Sequence, residues 1–183
     1  MQAEQEQGPE EASYEAPARR SVRDMVLSLL VLLIPIVFVV AVFRLQGGED
    51  PVVIDPSPVL AQAEAAGDFP VSRPRGLAEG WRPVSAVYRG EDGAAILRVG
   101  YLTPSGAGVQ LIESDQPAEQ LLGRELGDPV RPAGMVDISG HQWQSYQVRN
   151  DERALVLTDR ERTLIVIGRA PADELRVLAA ALG

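Results

Sequence analysis

Hydrophobic and polar residues are distributed along this chain in three regimes. From Met25 to Phe43 the sequence MVLSLLVLLIPIVFVVAVF has no charged residue over nineteen positions. At about 1.5 Å per residue a helix of that length covers roughly the 30 Å hydrocarbon core of a bilayer. The segment therefore predicts one transmembrane helix, with a modest kink at Pro35. Before it, residues 1–20 are rich in Glu, Gln, Ala and Pro and predict a disordered tail. After it, Gly47, Gly48 and Pro51 mark a linker over 47–55, and residues 56–183 alternate in the short periods of one compact domain.

Within that domain SPVLAQAEAAG predicts a short helix, with Ser57 or Asp55 at its start, Pro58 in its first turn and Gly67 closing it. A proline-rich connection leads to Trp81. Strands follow at 82–88, 94–103 and 109–113, the second showing Ala95, Leu97, Val99 and Tyr101 in alternation. Residues 117–126 read as a short helix, and Pro129 and Pro132 predict an irregular segment behind it. Further strands are expected at 135–138, 142–148, 153–158 and 163–168. Their connections, such as Ser139-Gly140 and Asp159 to Glu161, are tight enough to imply antiparallel pairing. The chain closes on APADELRVLAAALG, a helix with Leu175, Leu178, Ala179 and Leu182 on one face. The sum is an α+β fold: a transmembrane helix followed by a small domain with a twisted antiparallel sheet and helices packed on one side.

Charge gives the anchor a direction. Arg19, Arg20 and Arg23 precede the apolar run, whereas Arg44 alone follows it before Glu49 and Asp50. This positive-inside asymmetry predicts a cell-membrane protein with a cytoplasmic N-terminus and an extracytoplasmic domain. The apolar run is longer than the 7–15 residues usual in a cleaved signal peptide, so the anchor is expected to be retained. A formal net charge of −9, with arginines interspersed among acids, argues against a nucleic-acid partner.

The chain has no cysteine and no lysine, which removes disulfides, thiol nucleophiles and lysine-based chemistry. His141 is the single histidine and reads as a turn-edge residue rather than a metal ligand. Ser105 in TPSGAGVQ lacks a nucleophile elbow, no phosphate-cradling glycine pattern occurs, and the paired acids fall in turns. No catalytic residue, cofactor or metal site is expected, and the protein is expected not to be an enzyme. Trp81, Tyr101, Trp143 and Tyr146 fall in or beside strands. They would either line a ligand or partner groove or pack the core.

The Arg-flanked R-D-M-V start of the span, the segment VLAQAEAAGDFPV, the P-x-G-L-x-E-G-W-R stretch from Pro74 to Arg82 and the closing strand and ADELRVLAAAL helix are found together here. In this combination the chain resembles an actinobacterial family of single-pass membrane proteins classed as domain of unknown function 4245. The resemblance runs from about Arg20 to the C-terminus and implies the fold class and a bacterial inner-membrane address. It brings no catalytic residue with it. The functional expectation is an envelope protein whose outer domain binds a protein or cell-wall component, with the lipid bilayer as its other partner. The alternative is a module binding a small molecule or lipid in an apolar cleft between sheet and helices. A membrane enzyme, a third possibility, would need acids gathered around His141.

Overall fold

The computed structural model describes residues 22–45, 51–91, 93–127, 131–149 and 151–183. The expected tail, Arg19, Arg20 and residues 47–50 of the linker, with Glu49 and Asp50, lie outside the described residues. The chain divides into two units, Met1–Asp50 and Pro51–Gly183.

In the first unit, helix α1 runs Val22–Leu45 and contains Pro35. Its large apolar side chains are exposed, as in Met25 at 71% and Phe38 at 68%. Among the described residues, no helix is long and apolar enough to cross a membrane.

The second unit is built on seven strands: β1 (Arg82–Glu91), β2 (Ala94–Leu102), β3 (Gly108–Ser114), β4 (Arg131–Ile138), β5 (His141–Gln147), β6 (Arg153–Thr158) and β7 (Thr163–Gly168). They form one sheet in the order β1-β2-β3-β7-β6-β5-β4, antiparallel at each pairing. Two meanders, β1 to β3 and β4 to β7, thus meet where β3 pairs with β7. Short turns explain the local pairings. At the β4–β5 hairpin Ser139 (φ 53°) and Gly140 (φ 82°) both take the left-handed region, the geometry of a two-residue loop whose twist matches that of strands.

Three helices complete the unit: α2 (Ser57–Ala66), α3 (Ala118–Leu126) and α4 (Ala172–Ala180). α2 begins after Pro56, with the Asp55 carboxylate accepting the Ser57 N–H at 2.9 Å, and Gly67 ends it at φ 72°. Because side chains alternate across a strand, the sheet has two apolar faces. One carries Leu97, Val99, Leu111, Leu164 and Val166 and is covered by Leu60 and Ala63 of α2 and Leu175 and Leu178 of α4. The other carries Ile96, Ile112, Val156 and Ile165 and is covered by Leu121 and Leu126 of α3.

The α+β class and the antiparallel sheet stand. The expectation that all helices pack on one side does not, because α3 lies on the face opposite α2 and α4. Pro132 does not keep its segment irregular either. It lies within β4, which is an edge strand, where a missing N–H costs no ladder bond, and a register shift between Pro132 and Gly134 absorbs the misfit.

Candidate functional site

The four aromatic residues singled out from the sequence do not share a groove. Tyr101 on β2 and Trp81 just before β1 form an edge-to-face pair with ring centroids 6.4 Å apart and planes at 71°. Both belong to the core under α2 and α4. Trp143 is in the same core and only 2% exposed, but it stands on β5. Strands β3, β7 and β6 separate β5 from β2. At about 4.8 Å per strand that is roughly 19 Å. Tyr146 is three residues further along β5, and the alternation of the strand sends it to the α3 face. Burial and sheet order account for this: Tyr101 and Trp143 fill the core, and only Trp81 and Tyr101 touch.

An opening lined by described residues of the domain lies on the α3 face. It is a groove of about 430 Å³, with Gly100 and Leu102 of β2, Gly108 and Gln110 of β3, and Ile167 and Gly168 of β7 among its lining residues. α3 has nine residues and spans only part of a seven-stranded face, so this stretch of sheet is left open beside it. Glycine is dictated by neighbouring backbone at Gly168, whereas at Gly100 the obstacle is the end of a side chain. A Cβ on Gly168 would collide with the Gly108 carbonyl and lie 2.9 Å from the Val109 Cα, and one on Gly100 would meet the Ser85 hydroxyl. A Cβ on Gly108 would meet nothing within 4 Å.

Glu125 and Glu152 also line the groove. Glu125 is held by Arg98 in a two-pronged pair, Nη1 to Oε2 at 2.7 Å and Nη2 to Oε1 at 2.9 Å. Glu152 lies 3.6 Å from the Arg169 guanidinium, an exposed and looser contact. The groove therefore offers apolar sheet backbone, one amide at Gln110 and carboxylates whose charge is largely balanced.

A second polar cluster sits inside the other face. Glu113 shares the inward phase of β3 with Val109 and Leu111 and is 0% exposed. Its carboxylate accepts the Ser72 N–H at 3.1 and 3.2 Å and an Arg162 Nη1 bond at 2.7 Å. Arg162 Nη1 also donates to the Pro70 carbonyl, and its Nε lies 3.6 Å from Asp159. Burial pushes the Glu113 carboxyl up to about 7, against the opposing pull of Arg162 and the Ser72 bonds. Burial, with the Glu113 charge second, pushes the Tyr101 hydroxyl up to about 12. The Ser72 hydroxyl and Arg162 Nε are buried without a hydrogen-bond partner among the described residues. Apart from Tyr101, none of these residues was expected from the sequence to matter. The signal was a charged residue on the apolar phase of an alternating strand, V-x-L-x-E.

Ser105 donates its hydroxyl to Glu174 at 2.7 Å and its N–H to the same carboxylate at 3.1 Å, which ties the 103–107 loop to the start of α4. His141 opens β5 at the exposed β4–β5 hairpin.

No curated protein matches this chain. The family described as Protein of unknown function (DUF4245) matches it over residues 18–182, from before α1 through α4, and the chain belongs to that family.

Proposed function

We propose that this is a single-pass, membrane-anchored and non-enzymatic protein of a bacterial envelope, actinobacterial in origin, whose domain 51–183 stands outside the cytoplasm and binds an envelope protein or cell-wall component. The anchor reading rests on the charge-free run from Met25 to Phe43, the arginines before it, and the exposure of apolar side chains along α1. The observation that carries the binding reading is the open groove on the α3 face, where sheet backbone and Gln110 are left within reach of an extended ligand. The lipid- or small-molecule-binding alternative has less support. Trp143, which would line its cleft, is a buried core residue, and Tyr101 is buried in the same core although it borders the groove. The reading as a non-enzyme is supported by Ser105, whose hydroxyl is bonded to a carboxylate rather than to an imidazole.

A photo-crosslinking residue placed at Gln110 in the full chain, compared in living cells with one at the exposed Arg176 on α4, tests the binding reading. A defined adduct from position 110 and none from 176 is the expected outcome. Equal yields from both positions, or no adduct from 110 in any growth phase, would reject the groove as a binding face.

A further inference from the structure

Strand register gives the groove on the α3 face an internal order. Gly100 of β2 pairs with Gln110 of β3, and Leu102 pairs with Gly108. Cross-strand partners and alternate residues share a face, so the two glycines are diagonal neighbours. The larger side chains of Leu102 and Gln110 stand on either side of the furrow between them. Beyond Gly108 the furrow reaches Gly168 of β7, where the Gly108 carbonyl comes close, and then Glu152, which precedes the Arg153 that pairs with Gly168. Val84 of β1 lines the opposite end. From β1 to β6 is four strand spacings, roughly 19 Å, the length of about six residues of extended chain.

We propose, resting on the reading of this groove as a binding face, that its ligand is an extended, basic segment of a partner protein. The segment's main chain lies along the glycine furrow and its cationic side chain meets Glu152. The two wall carboxylates differ in what a ligand can do with them. Glu125 is 12% exposed, held by both prongs of Arg98, and has the Arg124 Nε 3.5 Å away. Glu152 is 34% exposed and stands 3.6 Å from an Arg169 that is itself 64% exposed. That separation is too long for a hydrogen bond, so a ligand cation can take the place of Arg169, which returns to water at little cost. The formal net charge of −9 favours the approach of a cation.

The polar chemistry of the furrow suits a peptide. Its floor is sheet backbone whose N–H and C=O groups serve the ladder, so a ligand finds its hydrogen bonds at side chains. The Gln110 amide offers a donor and an acceptor together, the pair that a peptide bond matches. A lipid tail would bury that amide without a partner. A sugar ring would lack a stacking platform from Tyr101, whose ring is turned into the core against Trp81. Two positions allow the furrow to be altered without disturbing the sheet. A side chain on Gly108 meets nothing within 4 Å and grows into the furrow, and valine there suits a strand. Glu152 serves its turn through its main chain, its N–H donating to the Arg149 carbonyl and its carbonyl accepting the Val148 N–H, so its carboxylate can be changed alone.

Selection on the full chain in lipid nanodiscs, with empty nanodiscs as control, tests the assignment. The probe is a phage-displayed library of random hexapeptides flanked on both sides by glycine-serine spacers. Enrichment of peptides with arginine or lysine near one end, and small or apolar residues over the rest, is the expected result. The most enriched peptide, synthesised, should bind about fivefold more weakly to Glu152→Gln and lose affinity in high salt. It should not bind detectably to Gly108→Val, whose urea melt is expected to match the parent's. Enriched peptides without a basic residue, or equal binding to Glu152→Gln, overturn the basic ligand and leave the groove as a binding face. Unchanged binding to Gly108→Val overturns the furrow as its seat. No enrichment at all also overturns the proposal; a defined adduct from position 110 in cells would then preserve the groove reading, and its absence would remove both.

Discussion

At the scale of single residues, glycines and buried charges set the sharpest constraints. Gly168 lies on β7 between β3 and β6, where its missing side chain lets the Gly108 carbonyl approach. Backbone on the far side of that contact cannot swing away as a side chain would. Gly168→Ala is therefore expected to lower stability by about 1–3 kcal/mol through overpacking, whereas Gly108→Ala, facing open space, should be neutral or stabilising by up to about 1 kcal/mol. Urea melts of both variants check this, and a Gly168→Ala protein as stable as the parent would contradict the strand spacing. Arg98 and Glu125 make the complementary case. Their side chains are 18% and 12% exposed. Removing the guanidinium leaves a largely dehydrated carboxylate. Arg98→Ala is expected to cost about 1–3 kcal/mol, and the double variant with Glu125→Gln should recover part of it. A single-variant melt indistinguishable from the parent would show that the pair is solvated in solution.

At the scale of elements, much of the domain was legible because its signals are local. Asp55, Pro58 and Gly67 bracket α2, and the alternation of Leu97, Val99 and Tyr101 marks β2. Pro171 with Asp173 and Glu174 opens α4. What could not be read was relational. Nothing near α3 says which face of the sheet it meets, since that depends on β3 pairing with β7 more than forty residues away. The same lack hid the separation of Tyr101 from Trp143 and the turning of Tyr146 to the other face. β4 was shortened because proline normally excludes a strand, and its place at the sheet edge was not visible in the sequence. Glu113 was legible in phase but not in meaning, because Ser72 and Arg162 reach it from 41 and 49 residues away. The two-faced packing has an energetic consequence. Leu121 of α3 and Leu178 of α4 are each 0% exposed, on opposite faces. Truncation of either to alanine should cost about 2–5 kcal/mol, with additive effects in the double variant. Strong coupling between them, seen in denaturant titrations, would imply a single shared core instead.

At the scale of the whole molecule, the division at Pro51 makes a testable claim about where the two units belong. The second unit has its own sheet, three helices and two apolar faces, so residues 51–183 expressed alone are expected to remain in solution and melt in one cooperative transition. The full chain should instead sediment with membranes and resist extraction by carbonate. Orientation is open to the same kind of measurement, because the chain lacks cysteine and any thiol introduced is the only one. A thiol at the exposed Arg160→Cys, in the β6–β7 turn, should react with a membrane-impermeant maleimide in intact cells, and one at Ser13→Cys only after lysis. The reverse pattern would invert the assignment made from Arg19, Arg20 and Arg23, and labelling of both sites in intact cells would remove the anchor altogether.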